Sequence, residues 1–173
     1  ALEAKNLNLA ATGFVDEASG IAGVVDFSGT LNSDGKKVTT KGTATANKLQ
    51  LVPAGSPAGQ PVQLAYQTAY QLAGQNGVLQ QGDVRVGKAL AQLTGTYKTA
   101  GETTSVQMKL KGSNMPATDI SSLLPALGII LPSGAALKEG TLNADLSISG
   151  PVDRLVTSGP VNLSNARMTG FDL

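Results

Sequence analysis

The feature that most constrains the fold is a strict alternation of apolar and polar residues over 142–149. Leucine, alanine, leucine and isoleucine occupy the even positions, and asparagine, aspartate and two serines occupy the odd positions. A period of two is typical of a β-strand with one dry face and one wet face. Gly150-Pro151 ends the run, because proline lacks the N–H that a sheet ladder needs. A second extended run from Leu155 to Met168, interrupted by Gly159-Pro160, predicts a returning strand.

Similar runs recur through the chain, so we predict a mainly β protein of long antiparallel strands. Turns are expected at 13–20 and 100–102. Hairpin turns are expected at 32–35 and 76–77, because Asp-Gly and Asn-Gly tolerate the positive φ of such turns. Residues 53–61 carry three prolines and two glycines and predict a loop. The remaining strands are predicted at 2–9, 21–31, 38–51, 62–73, 78–88, 89–99 and 104–112.

One segment follows a helical period instead. In 118–127 the apolar residues Ile120, Leu123, Leu124 and Leu127 are spaced i, i+3, i+4, i+7. Pro125 removes an interior hydrogen bond, so the predicted helix is short and imperfect. We expect its leucine stripe to cover one end of the sheet.

Composition excludes several function classes. The chain has no cysteine and no histidine, which rules out disulfides, the usual zinc sites and histidine-based acid–base catalysis. Its net charge of +1 is too small for a nucleic-acid binder that neutralises phosphates. Its carboxylates are scattered, and no nucleophile or phosphate-binding motif is present. We therefore expect no enzyme activity, no metal and no cofactor.

The apolar side chains gather on one face of each predicted strand. We expect this face to line either an ordinary closed core or an open hydrophobic groove. The sheet is predicted to be curled or sandwich-like, with this apolar face inward. The residues that parity places on it, and that we assign as candidate groove-lining residues, are Leu64, Tyr66, Tyr70, Leu72, Val106, Met108, Leu110, Leu142, Leu146 and Ile148.

Several segments resemble, in the same order, sections of the AsmA family of bacterial envelope proteins. They are FSGTLNSDGKKVTTKGTATANKLQL, GDVRVGKALAQLTGTYKT, DISSLLPALGIILPSGAALKEG, GTLNADLSISGP and GPVNLSNARMTGFDL. In that family a strand, Gly-Pro, strand unit follows a leucine-rich helix. The resemblance covers most of the chain.

The resemblance implies a long curled sheet whose apolar inner surface shields phospholipid acyl chains in the periplasm. It implies a parent protein anchored in the inner membrane of a Gram-negative bacterium, through a segment outside this piece, and a role in outer-membrane biogenesis alongside other envelope proteins. It brings no catalytic residues. The alternative function is a structural β module that pairs with neighbouring sheets or a partner protein without binding lipid.

The chain is long enough for one domain, and we predict a single β-rich domain over 1–173, a fragment of a longer envelope protein. Possible sub-units are 1–52 and 62–173, joined by the loop 53–61. Two weak echoes suggest a repeated module: Gly29-Thr30-Leu31-Asn32 recurs at 140–143, and Val38 to Gly42 is echoed at 155–159.

Overall fold

The computed structural model describes residues 1–11, 20–101, 103–131, 135–152 and 154–170. These residues form one ten-stranded antiparallel sheet that does not close on itself. The mainly β prediction is thus confirmed, and the arrangement is a single open sheet. The strands are β1 (Leu2–Asn8), β2 (Ala22–Ser33), β3 (Lys37–Gln50), β4 (Val62–Gln71), β5 (Asn76–Val86), β6 (Ala89–Ala100), β7 (Thr103–Pro116), β8 (Ala136–Pro151), β9 (Val156–Ser158) and β10 (Val161–Thr169).

The strands follow one another across the sheet almost in chain order. The path runs from β1 to β8 and then to β10, and β9 pairs with β8 alongside β10. Strand β3 pairs with β4 over ten residue pairs, from Lys37 opposite Gln71 to Ala46 opposite Val62. The sheet therefore runs unbroken past the loop 53–61, which the sequence suggested as a joint between sub-units.

The predicted helix is present, but it is shorter than the segment 118–127 that carries the apolar pattern. Helix α1 spans Ala117–Ser121, and a 3₁₀ turn follows at Pro125–Leu127. Proline at the start of this turn cannot donate the bond that would continue α1. Gly128 ends the turn in the left-handed conformation, with φ of 72°. A further 3₁₀ turn lies at Leu9–Ala11.

One predicted hairpin turn is misplaced. The turn between β4 and β5 occupies 72–75, and Asn76-Gly77 begins β5 instead of forming the turn. Gly77 is needed inside the strand, because a Cβ there would overlap the ring of Tyr97. The turn predicted at 32–35 lies at 34–36, with Gly35 at a φ of 83°. The predicted turn 13–20 falls almost wholly outside the described residues, and so does Glu102 of the turn at 100–102.

A three-stranded unit occurs twice in the sheet. In β1 and β7, residues Asn6 and Asn114 adopt a positive φ at a β-bulge, and in each case the backbone N–H donates to a side chain of the next strand. The acceptors are Asp26 of β2 and Asn143 of β8, both at 2.8 Å. Strands β1 and β2 therefore match β7 and β8 in register and in bulge geometry.

The third strand of the unit matches as well. Lys48 of β3 and Asn165 of β10 adopt a positive φ at a second bulge, opposite Gly23 and Gly140. The pairs 23 and 140, 26 and 143, and 48 and 165 are each 117 positions apart, so β9 and β10 together match β3. The echo of 38–42 at 155–159 has this same spacing and coincides with the structural repeat. The echo of 29–32 at 140–143 does not, because its spacing is 111.

Candidate functional site

An uninterrupted apolar row crosses the whole sheet. Residues paired across a ladder share a face, so the register can be followed from strand to strand. Every member of this row is apolar or glycine, and we call the surface that contains it the apolar face. From β1 to β10 the row reads Ala4, Phe27, Ala44, Leu64, Val84, Ala91, Gly112, Ala144 and Val161.

The opposite face of the sheet is polar. The adjoining row carries charged, hydroxyl and amide side chains, with one alanine, and reads Glu3, Ser28, Thr43, Ala65, Asp83, Gln92, Lys111 and Asp145. Lys111 and Asp145 form an exposed ion pair there at 3.3 Å. The sheet is thus amphipathic along its full width, as its period of two requires.

Nine of the ten candidate groove-lining residues lie on the apolar face. Met108 is opposite Ile148, and Leu110 is opposite Leu146, so these four form adjacent pairs on β7 and β8. Leu72 is the exception. It follows the end of β4 in the turn, is 43% exposed, and donates its backbone N–H to the carbonyl of Lys36. Strand β4 ends two residues earlier than the apolar alternation predicted.

Most of the apolar face has no second layer built from the described residues. Among the described residues no large side chain is fully buried. Leu64, Leu110, Leu146 and Ile148 are only half-buried, whereas a closed sandwich would bury their equivalents between two sheets. The face is therefore open to a ligand along most of its length.

One end of the apolar face is covered. Helix α1 and the turn after it lie across this end and are hydrogen-bonded to the loop that follows β3, through Gly59 to Ser122 and Leu51 to Ala126. The Asp119 carboxylate accepts the backbone N–H of Lys88 at 2.8 Å. Beneath this cover Met115 is 4% exposed and packs with Ala89, Ala91 and Ile120. This small cluster is the main core of the described residues.

Aromatic rings lie close to glycines on the open part of the face. Tyr70 and Tyr97 stack with ring centroids 5.9 Å apart, across Gly77 of the strand between them. The Tyr97 and Thr68 hydroxyls are 2.8 Å apart, so the polar end of this ring has a partner. Phe27 and Tyr66 stack in the same way at 6.1 Å. Such rings shield the sheet backbone and leave a smooth apolar surface.

Phe27 and Tyr97 belong to this surface and were not among the predicted groove-lining residues. Parity predicted that Tyr66 and Tyr70 share a face, and in the structure each of them also stacks on a ring from another strand. Tyr66 and its partner Phe27 are 39 positions apart in the sequence, and Tyr70 and its partner Tyr97 are 27 positions apart. The glycines paired with the rings are the signal that could have indicated these stacks.

One depression in the described part of the sheet lies mainly on the polar face. It has a volume of about 700 Å³ and is lined by side chains that include Lys37, Gln80, Lys98 and Gln107. Of the ten candidate residues only Val106 borders it. Its lining also includes Ala69, Val78 and Tyr97, so the depression presents apolar as well as polar groups.

Among the described residues, no group of three carboxylates is close enough to hold a metal ion. The carboxyl group of Asp34 has a structural role: the backbone N–H groups of Lys37 and Lys36 donate to it at 2.7 and 2.9 Å and lower its pKa. This carboxylate closes the β2–β3 hairpin.

Comparison with protein-family models, with curated proteins and with solved structures finds no match. The AsmA resemblance therefore rests on the quoted segments and stays a prediction. Among the helices of the described residues, none has the length and hydropathy required to cross a bilayer.

Proposed function

We propose that this protein is a non-enzymatic lipid-binding module whose apolar face holds phospholipid acyl chains. The observation that carries the proposal is the row of eight apolar residues and one glycine that crosses all the strands except β9, without a described layer above most of it. Exposed apolar surface of this extent is costly in water and marks a binding surface.

The chemistry of the face favours hydrocarbon over a polar ligand. Most of its side chains are aliphatic or aromatic, and the hydroxyl of Thr68, which lies on the same face, is already paired with that of Tyr97. An acyl chain demands no hydrogen bonds from its site, so its burial here leaves no polar group of the ligand unsatisfied.

The dimensions suit an acyl chain as well. Half of a bilayer's hydrocarbon core, about 15 Å, is the reach of one chain. On β8 the apolar alternation from Leu142 to Ile148 extends roughly 20 Å at the usual strand rise. Since α1 covers one end of the face, an acyl chain would enter from the end with the short turns 34–36 and 72–75.

The proposal extends to the setting that the AsmA resemblance implies. There the module is periplasmic, its parent is anchored in the inner membrane, and the lipid it carries serves outer-membrane biogenesis. The alternative of a β module that pairs with other sheets has its own supporting observation in the outer edge of β10, beside which no described strand lies.

A matched pair of substitutions tests the lipid proposal. Leu146→Arg places a charge on the open part of the face, where the side chain can extend its head group to water. Ser147→Arg places the same charge on the exposed polar face. We expect Leu146→Arg to keep a melting temperature near that of the wild type and to lose binding of a fluorescent phospholipid, with Ser147→Arg unchanged in both. Absence of phospholipid binding by the wild-type protein would refute the function.

A further inference from the structure

The structural repeat assigns a binding role to the outer edge of β10. In the interior copy of the unit, β3 has β2 on one side and β4 on the other. In the second copy, β9 and β10 have β8 on the matching side, and no described strand lies on the other side. The place that β4 occupies beside β3 is thus vacant beside β10 within the described part of the chain.

The free edge has the hydrogen-bonding groups that strand addition needs. The backbone N–H of Asp145 donates to the carbonyl of Pro160 at 3.1 Å, so Pro160 points toward β8. Backbone groups alternate in direction along a strand, and those of Val161 and Leu163 therefore point outward. The proline that interrupts the sequence removes a donor on the β8 side only, and the outer ladder stays intact.

The side chains of this edge lack the protection usual for edge strands. Val161 and Leu163 are 54% and 50% exposed, whereas their equivalents in β3, Ala44 and Ala46, are half-buried beside β4. Arg167 is the only charged residue in β10. Charges, outward-facing prolines, bulges or very short strands normally prevent pairing at an edge, and the segment 161–164 of β10 has none of these, since its bulge lies beyond it at 165–166.

We propose that the outer edge of β10 and β9 takes one further antiparallel strand that has the sequence pattern of β4. The repeat fixes the register. In β3, Ala46 is opposite Val62, Ala44 is opposite Leu64, and Gly42 is opposite Tyr66. A bound strand would place apolar residues opposite Leu163 and Val161 and an aromatic residue opposite Gly159, with small or amide side chains between them. The addition would widen the apolar face by one strand.

Cysteine cross-linking with a β4 peptide tests both the site and the register. The wild-type chain has no cysteine, so Asn162→Cys provides a unique thiol on the polar side of the edge. Its equivalent Thr45 is opposite Gln63. We expect a peptide of residues 61–72 carrying Gln63→Cys to form a disulfide with this variant in a glutathione redox buffer, several-fold more than a peptide carrying Gln67→Cys, whose partner position is Ser158.

The second part of the experiment introduces a charge at the edge. Adding Leu163→Lys to the Asn162→Cys protein is expected to abolish the cross-link, while adding Ser164→Lys, whose backbone groups face β8, leaves it in place. Circular dichroism must show both proteins folded. Equal yields with the two peptides, or a yield that Leu163→Lys does not change, would overturn the proposal. A wild-type dimer that Leu163→Lys dissociates, with no peptide adduct, would likewise overturn it and identify a second copy as the partner. Because the readout contains no lipid, failure here leaves the acyl-chain proposal standing.

Discussion

Asn114 donates its backbone N–H to the side-chain oxygen of Asn143 across the β7–β8 bulge, at 2.8 Å. At this bulge Ser113 and Asn114 together lie opposite the single residue Asn143. The extra residue places the side chain of Met115 on the apolar face again. The same arrangement joins Asn6 to Asp26. A carboxylate and a carboxamide therefore perform one structural task in the two copies of the unit, because each offers an oxygen to an N–H that the bulge removes from the ladder.

This equivalence predicts that aspartate can replace asparagine at position 143, whereas alanine cannot. Asn143→Ala removes the acceptor and is expected to lower the free energy of unfolding by about 1 kcal/mol. Asn143→Asp keeps an oxygen in place and should cost much less. Urea denaturation of the two variants, with Ser147→Ala as an exposed control on the same strand, checks the prediction. Equal losses for alanine and aspartate would show that the acceptor oxygen is unimportant.

A second prediction concerns the ring that lies over Gly77. A methyl group at this position would overlap the Tyr97 ring, so Gly77→Ala must displace it and break its contact with Thr68. We expect a loss of about 1–3 kcal/mol, although alanine is otherwise favoured over glycine in a strand. In a Tyr97→Leu background the same substitution should cost much less. Additive effects in this double-mutant cycle, followed by urea denaturation, would contradict the stacking account.

The pH dependence of the β2–β3 hairpin follows from Asp34. The backbone N–H groups of Lys37 and Lys36 lower the pKa of this carboxyl group below its ordinary value of 3.8. The folded state then binds fewer protons than the unfolded chain, so the stabilisation is present above 3.8 and is lost as the pH falls through the folded pKa. Asp34→Asn keeps an acceptor but does not titrate. We expect wild type to be more stable than this variant at neutral pH and the difference to vanish in strong acid; a constant difference in urea titrations would be the contrary result.

Much of the sheet could be predicted from local patterns. The alternation at 142–149 identifies β8 and assigns Leu146 and Ile148 to one face, because a period of two has a single structural meaning over that length. Asp34-Gly35 identifies the first hairpin for a similar reason, since its conformation is local. The conformation of each of these segments is determined by residues that are close to it in the sequence.

The remaining features depend on distant partners. Gly77 reads as a turn residue until the Tyr97 ring is known to lie over it, and Leu72 continues the apolar parity of β4 although the strand has ended. The choice between one open sheet and two packed sheets also lies beyond the alternation, because both arrangements present an apolar face of period two. The stacks of Tyr70 on Tyr97 and of Phe27 on Tyr66 depend on register between strands, which no local pattern specifies.

The last prediction compares two methionines on one strand. Met115 and Met108 both lie on the apolar face of β7, but Met115 is 4% exposed beneath α1, whereas Met108 is half-buried on the open part. Met115→Ala leaves a cavity enclosed by Ala89, Ala91 and Ile120 and is expected to cost about 2–5 kcal/mol. Met108→Ala removes atoms that are partly in water already, so it should cost roughly 1–2 kcal/mol. The free energies of unfolding from urea titrations of the lipid-free protein check the difference. Equal large losses would mean that the face is as closed at Met108 as at Met115, which would argue against an open surface for acyl chains.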